Sequence, residues 1–237
     1  MTNIFVDASV HGFKNGKFIS CSCACLVNES CNDQNIDKLP KITKILNNST
    51  NNIGELEAIF IGIELGESLC LPGDIINIYS DSKISVFSLR EWISKWTLTD
   101  DGYLLNKSKP IKNPGFLKKI IYKIVNSKNQ IHLYHLPGHV NINNKMEIEN
   151  AYNYFLSMNM IPLKSIKNNI GGYNIIKYQE LSPITLFYNN NMVDNISRTV
   201  LSDYINKRMN IQVANACNIF ERVISYSDIE YLLKKLN

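Results

Sequence analysis

Two short apolar runs in this chain each lead into an aspartate. Ile4-Phe5-Val6 ends in Asp7, and Ile75 to Tyr79 runs through Ser80 into Asp81. A run of that length without polar alternation reads as a strand buried on both faces, and such strands belong to sheets covered by helices on either side. Ligands in sheets of this kind gather beyond the carboxyl ends of the strands, so two acids far apart in sequence are expected to become neighbours. An Asp at a strand end is also common as a turn or helix cap, and either acid alone would carry that plainer meaning.

A third acid changes the balance. Thr50-Asn51-Asn52-Ile53-Gly54-Glu55-Leu56-Glu57-Ala58 is a polar loop running into an apolar helix, and it carries Glu55 across the junction. From Ile53 to Leu69 the apolar residues Leu56, Ile59, Phe60 and Ile63 recur at helical spacing, and Pro72-Gly73 closes the element. An acid at a helix start is favoured by the helix dipole and can be aimed at the neighbouring strands. Three carboxylates converging without a cation would repel and raise one another's pKa, a conflict that a hard cation resolves. An all-oxygen donor set suits magnesium or manganese rather than zinc. A pair of such ions roughly 3.5–4 Å apart is the arrangement that serves phosphodiester hydrolysis. Glu57 lies two residues along the helix, points to a different face, and is expected to be solvated.

The remaining pattern fits the same picture. Phe18 to Val27 and Ile42 to Leu46 continue an antiparallel meander from the first strand. After Asp81 come a helix from Ile84 toward Trp96, a polar excursion from Thr97 to Asn113, and a helix from Phe116 to Val125. A strand from Ile131 to Leu136, the turn Pro137-Gly138-His139 and a helix from about Asn144 to Met158 come next. The expected class is α/β: a mixed five-stranded sheet with helices on both faces.

With 237 residues, 45% of them hydrophobic, the chain suits one large domain or a medium one with a small companion. A net charge of +4 permits a nucleic-acid partner without demanding one. No basic leader precedes an apolar stretch, and no apolar run approaches the roughly 20 residues that span a bilayer. The expectation is a soluble, cytoplasmic protein with no membrane partner. The six cysteines at 21, 23, 25, 31, 70 and 217 are then expected as reduced thiols, with Cys21, Cys23 and Cys25 sharing one strand face in the core.

Five groups of residues together resemble ribonuclease H, type 1. They are Thr50-Asn51-Asn52-x-x-Glu55-Leu56-x-Ala58, Ile78-Tyr79-Ser80-Asp81-Ser82, Trp92-Ile93-x-x-Trp96, Lys109-Pro110-Ile111-Lys112-Asn113 and Gly138-His139, in the order and at the spacing of that family, over about residues 1–158. The Trp pair and the Lys-Pro-x-Lys-Asn run point to the hybrid-cleaving branch of the wider superfamily. The resemblance implies an endonuclease that hydrolyses the RNA strand of an RNA/DNA hybrid with two Mg²⁺ ions, Mn²⁺ being a substitute. It implies that Asp7 bridges both ions, that Glu55 and Asp81 complete the coordination, and that His139 assists proton transfer and product release.

The fourth acid departs from the family pattern. The family places an Asp ten residues after this His, within an Asn-x-x-x-Asp element; here that position is Glu149, and Asn144 and Glu147 do not reproduce the spacing. Glu149 is preferred to Glu147 as the fourth metal ligand because equal loop length favours it. For the substrate, Asn51 and Asn52 offer amides to the RNA 2′-hydroxyl, and Thr50 resembles the residue that takes a DNA-strand phosphate. Trp92 to Lys119 resembles the family's basic protrusion. Lys95, Lys107, Lys109, Lys112, Lys118 and Lys119 are offered to phosphates, Asn113 closes the motif, and Asp100 and Asp101 weaken the charge.

The resulting division is a catalytic domain at 1–160, a linker at 161–172 and a small α+β domain at 173–237. Strands are expected at Tyr173–Tyr178 and Ile184–Tyr188, and helices at Ser197–Met209 and Ser227–Leu236. No role emerges for that last domain, with a protein partner and self-association both open. Two other functions stay open beside the ribonuclease: a resolvase- or transposase-like DNA nuclease of the same superfold, and a hybrid-binding module without catalysis.

Overall fold

The first apolar run forms a strand at the centre of the sheet. The computed structural model describes residues 1–12, 18–26, 38–99, 104–159, 181–206, 213–215 and 231. In it β1 (Thr2–Gly12) pairs antiparallel with β2 (Phe18–Leu26), which pairs antiparallel with β3 (Lys41–Asn47). Helix α1 (Asn51–Leu69) then crosses back, and β4 (Ile75–Ser80) joins the other side of β1 in parallel. Helix α2 (Lys83–Arg90) and a 3₁₀ turn at Trp92–Lys95 lead to the small antiparallel sheet of β5 (Thr97–Leu98), β6 (Leu104–Asn106) and β7 (Lys109–Pro110). This sheet lies where the sequence suggests only a polar excursion. Helix α3 (Pro114–Asn126), strand β8 (Gln130–His135) parallel to β4, and helices α4 (Lys145–Asn159) and α5 (Pro183–Ile205) come after it. The five expected strands form a mixed sheet, and β9 (Val213–Asn215) adds a sixth in parallel beside β3.

Two cores cover the two faces. Ile4, Val6, Ile76, Ile78, Ile131 and Leu133 pack beneath α1 and α3 on one. On the other, Phe5, Tyr79 and Tyr134 stand opposite one another across β1, β4 and β8. Their rings stack at 4.7 and 5.1 Å and are closed over by α4 and α5. Cys21, Cys23 and Cys25 are buried on this second face. Among the described residues no helix is long and apolar enough to cross a membrane.

Helix α1 packs closely on the sheet because it turns glycines toward it. A Cβ on Gly62 would stand 2.6 Å from Val6 Cγ1, and one on Gly66 2.5 Å from Ile76 Cγ2. Gly62→Ala should therefore cost about 1–3 kcal/mol by overpacking, read as a lowered Tm in thermal unfolding.

The C-terminal stretch departs from its expected form. Ile184–Tyr188, read as a strand, forms the first turns of α5. Ser182 caps the helix, its Oγ accepting from Thr185 N at 3.2 Å, and Pro183 takes the first helical position. Leu186, Phe187, Val193 and Ile196 share a core with Phe5 and Tyr79, so α5 belongs to the main sheet and not to a unit of its own. The expected linker 161–172, the strand at Tyr173–Tyr178 and all but one residue of the helix at Ser227–Leu236 lie outside the described residues.

Candidate active site

Pairing between β1 and β4 ends at Val6–Ser80, and at that carboxyl end Asp7 and Asp81 emerge side by side. β1 itself continues to Gly12 against β2, so Asp7 sits within the strand and not at its tip. Its Oδ1 accepts from Ala8 N at 2.7 Å. Glu55 arrives from the first turns of α1. Thr50 caps that helix, its Oγ1 accepting from Ile53 N at 3.3 Å, so Asn51 and Asn52 are helical and not loop. Ser22 Oγ donates to Gly54 O at 2.8 Å, and a Cβ on Gly54 would stand 2.9 Å from that of Ala8. The missing side chain at Gly54 thus lets the helix start rest on β1 and β2. Asp81 is seated from the opposite side, where a Cβ on Gly138 would come within 2.5 Å of its Oδ2.

Asp7, Glu55 and Asp81 each present a carboxylate oxygen, and these atoms all lie within 4.8 Å of one another. Burial followed by the charges of Asp81 and Asp194 pushes Asp7 up to about 8. Glu55 is raised well above the ordinary range, by burial first and then by Asp7 and Asp81. Asp81 is also raised by burial, while a hydrogen bond from Asn190 and the nearby His139 pull the other way. Among the described residues, Glu55 Oε2 is buried with no hydrogen-bond partner. An orphaned carboxylate oxygen facing two further acids fits a hard divalent cation, which would neutralise the group and occupy the bare oxygen.

The structure supplies a fourth acid that sequence reasoning missed. Asp194 on α5 stands near enough to Asp7, Glu55 and Asp81 for its charge to raise all three, though it lies outside their 4.8 Å group. Ser197 Oγ meets Ser9 Oγ at 2.6 Å, and Asn191 Nδ2 donates to Val140 O at 2.9 Å, fixing α5 to β1 and to the loop that carries His139. The signal was present in the sequence: Asn190-Asn191-Met192-Val193-Asp194 is an Asn-x-x-x-Asp element, displaced beyond α4 and residues 160–180.

Glu149 does not join the cluster. Ile148, Ala151, Tyr152 and Phe155 turn one face of α4 to the core, which leaves Glu149 exposed on another. Glu147 is engaged in a cap at the start of α4: its N–H donates to Asn144 Oδ1 at 3.3 Å, and its Oε1 accepts from Asn141 N at 2.9 Å. His139 is 73% exposed, adopts φ 55°, and holds Nδ1 3.8 Å from Asp194 Oδ2. His132 and His135 are buried in the fold, and burial pushes both down to about 4.

Around this centre, Asn113 Nδ2 donates to Asn52 Oδ1 at 2.7 Å, joining the Lys-Pro-x-Lys-Asn segment to the start of α1. Thr50, Asn51, Lys95, Lys107, Lys109 and Lys112 are exposed, and Trp92 packs half-buried, its ring 6.1 Å from that of Phe87. Asp100 and Asp101 lie outside the described residues. Two expectations are corrected here. Glu57 is buried, at 1% exposure, and not solvated, because Lys44 from β3 and Lys119 from α3 both close on it, at 2.6 and 2.7 Å. Lys119 also lies 3.6 Å over the Phe60 ring, so its charge is engaged within the fold and not offered to phosphates.

Comparison with known proteins places the chain in a family. Two curated relatives, the Ribonuclease H of Wolbachia sp. subsp. Drosophila simulans (strain wRi) and that of Wolbachia pipientis wMel, are each 33% identical over 73 residues. That is 31% of this chain, and the chain spans about half of each relative's length, 46%. Among solved structures, the prototype foamy virus RNase H domain is 16% identical with a TM-score of 0.44, over 67% of this chain and 91% of that one. RNase H1 from the halophilic archaeon Halobacterium salinarum NRC-1 is 12% identical with a TM-score of 0.37, over 57% and 85%. The family model for RNase H matches residues 1–151, well over half of the sequence, and the chain belongs to the RNase H family.

Proposed function

We propose that this chain is an endoribonuclease that hydrolyses the RNA strand of RNA/DNA hybrids, with divalent metal ions held by Asp7, Glu55, Asp81 and Asp194. The observation that carries the reading is the convergence of three carboxylates within 4.8 Å, one of them with a bare buried oxygen, in a chain of the RNase H family. Asp194 stands beside Asp7 from a fourth element, as a second ion would require. Two Mg²⁺ or Mn²⁺ ions at such a site supply the polarisation that activates the attacking water and stabilises the departing 3′ oxygen.

The protein's own residues then have separate tasks. Asp7 faces Glu55 and Asp81 and also feels Asp194, so it would serve as the shared ligand. Glu55 and Asp81 fix the pole of the site from α1 and β4. Gly138 keeps Asp81 in place by leaving it room. His139 stands at the exposed rim, where an imidazole can carry a proton between the site and solvent. The exposed start of α1, with Thr50 and Asn51, offers hydroxyl, amide and N–H donors to sugar and phosphate, and Asn52 and Asn113 hold that surface against the lysine-bearing segment. Such contacts read backbone shape and the 2′-hydroxyl without reading bases.

The reading is tested with a strand-labelled RNA/DNA hybrid in Mg²⁺ and in Mn²⁺, beside double-stranded RNA and DNA, with Asp81→Asn as control. RNA-strand cuts confined to the hybrid and lost in Asp81→Asn are the expected result. Cuts in DNA would move the chain to another branch of the superfold, and tight hybrid binding without cleavage would make it a binding module. Replacing both Lys109 and Lys112 with Ala should raise KM for hybrid several-fold more than it lowers kcat, and should flatten the salt dependence of binding. An unchanged KM would remove this segment from the interface.

A further inference from the structure

Among the described residues, Asp194 is the one of the four acids that forms an ion pair with an arginine. Asp7, Glu55 and Asp81 face one another from the sheet and α1, whereas Asp194 Oδ1 accepts from Arg198 Nε at 2.6 Å, one helical turn further along α5. The pair straddles the boundary of the site: the Asp194 side chain is 16% exposed and that of Arg198 59%. The acid is thus held inward by a residue that stands largely in water. Resting on the four-acid reading of the site, we propose that Arg198 is a positioning residue that acts as the internal counter-ion of Asp194 and competes with a divalent cation for that carboxylate.

Charge and reach both favour this role. Four carboxylates gathered at one pole carry a repulsion that Arg198 relieves at its outer edge without entering the centre. Spacing of four residues on a helix puts the guanidinium on the same face as Asp194, so no rearrangement of α5 is needed to make or break the pair. The competitor is a planar guanidinium, a cation well matched to a carboxylate. A contact through Nε is single and not a two-pronged fork, and a partner so exposed can swing into solvent at small cost. A cation arriving at Asp194 therefore takes over a charge that is already neutralised, and the arginine is released toward the solvent side, where the substrate backbone would lie.

The test is binding of Mn²⁺ alone, followed by calorimetry and by the electron paramagnetic resonance of the free ion, in the intact chain. Arg198→Ala should bind the Asp194-dependent ion about two- to fivefold more tightly, the range set by an exposed ion pair of this kind. Arg198→Lys, which keeps the charge and loses the planar donor, should lie between. On an Asp194→Asn background the gain from Arg198→Ala should disappear. Weaker or unchanged Mn²⁺ binding in Arg198→Ala, or an equal gain on both backgrounds, would overturn the competition while leaving the four-acid site standing. If Asp194→Asn itself leaves Mn²⁺ binding unaltered, the fourth-ligand reading and this proposal fall together. Thermal unfolding without metal accompanies each variant, so that a change in folding is not read as a change in affinity.

Discussion

Asp194→Asn should lower kcat by about 100-fold or more, while Glu149→Gln stays within about twofold of the parent. The expectation rests on placement alone. Asp194 stands near enough to Asp7 for its charge to bear on that carboxyl, whereas Glu149 lies exposed on a face of α4 turned from the core. Groups that merely orient a metal ligand typically cost about 10- to 100-fold when removed, so loss of a ligand should cost at least the upper part of that range. Asn is close in shape to Asp, so the fold should be retained and the loss should fall on turnover more than on KM for hybrid. Steady-state cleavage at saturating metal separates the two variants. A large loss in Glu149→Gln with little in Asp194→Asn would restore the assignment made from loop length.

Asp7→Asn should abolish cleavage and at the same time stabilise the metal-free protein. Burial and neighbouring carboxylates hold Asp7 near 8, far above its value in an unfolded chain. Between about pH 4 and pH 8 the folded state then binds more protons than the unfolded state, so stability falls as pH rises through that window. Below it the acid is protonated in both states and no penalty exists; above it the penalty is complete. Each pKa unit is worth about 1.4 kcal/mol, so removing the charge should gain roughly 2–4 kcal/mol near pH 7.5, or about 5–10 °C in Tm for a chain of this size. The gain should shrink toward pH 5. Added Mg²⁺ or Mn²⁺ should raise the Tm of the parent and close the gap, because an ion that binds only the folded state stabilises it. A parent Tm indifferent to both pH and metal would mean that the acids are not in conflict.

The parts of this site that lie in short local runs were legible in the sequence. Ile4-Phe5-Val6-Asp7 and Ile75 to Asp81 announce buried strands and acids together, and Thr50 to Ala58 announces a capped helix start with Glu55 inside it. Periodicity does not carry partnership across elements. Glu57 reads as a polar residue on a free helix face because nothing near it in sequence reveals that Lys44 and Lys119 close over it. The run Ile184–Tyr188 is rich in residues that favour strands, and only the Ser182 cap and the helical packing against Phe5 and Tyr79 decide otherwise. The fourth acid escapes sequence reasoning for a related cause. Counting residues from His139 presumes an unbroken connection, and here α4 and residues 160–180 intervene before the Asn-x-x-x-Asp element is reached.

The contact between Ser9 and Ser197 joins positions 188 residues apart and sets Asp194 beside Asp7. During synthesis the first strand, the helix with Glu55 and the strand before Asp81 can assemble while α5 is still unmade, but the fourth acid arrives only when that helix clears the ribosome. A nascent chain of this protein is therefore born without its complete set of acids, and on the four-acid reading the capacity to cut RNA is withheld until α5 has been made.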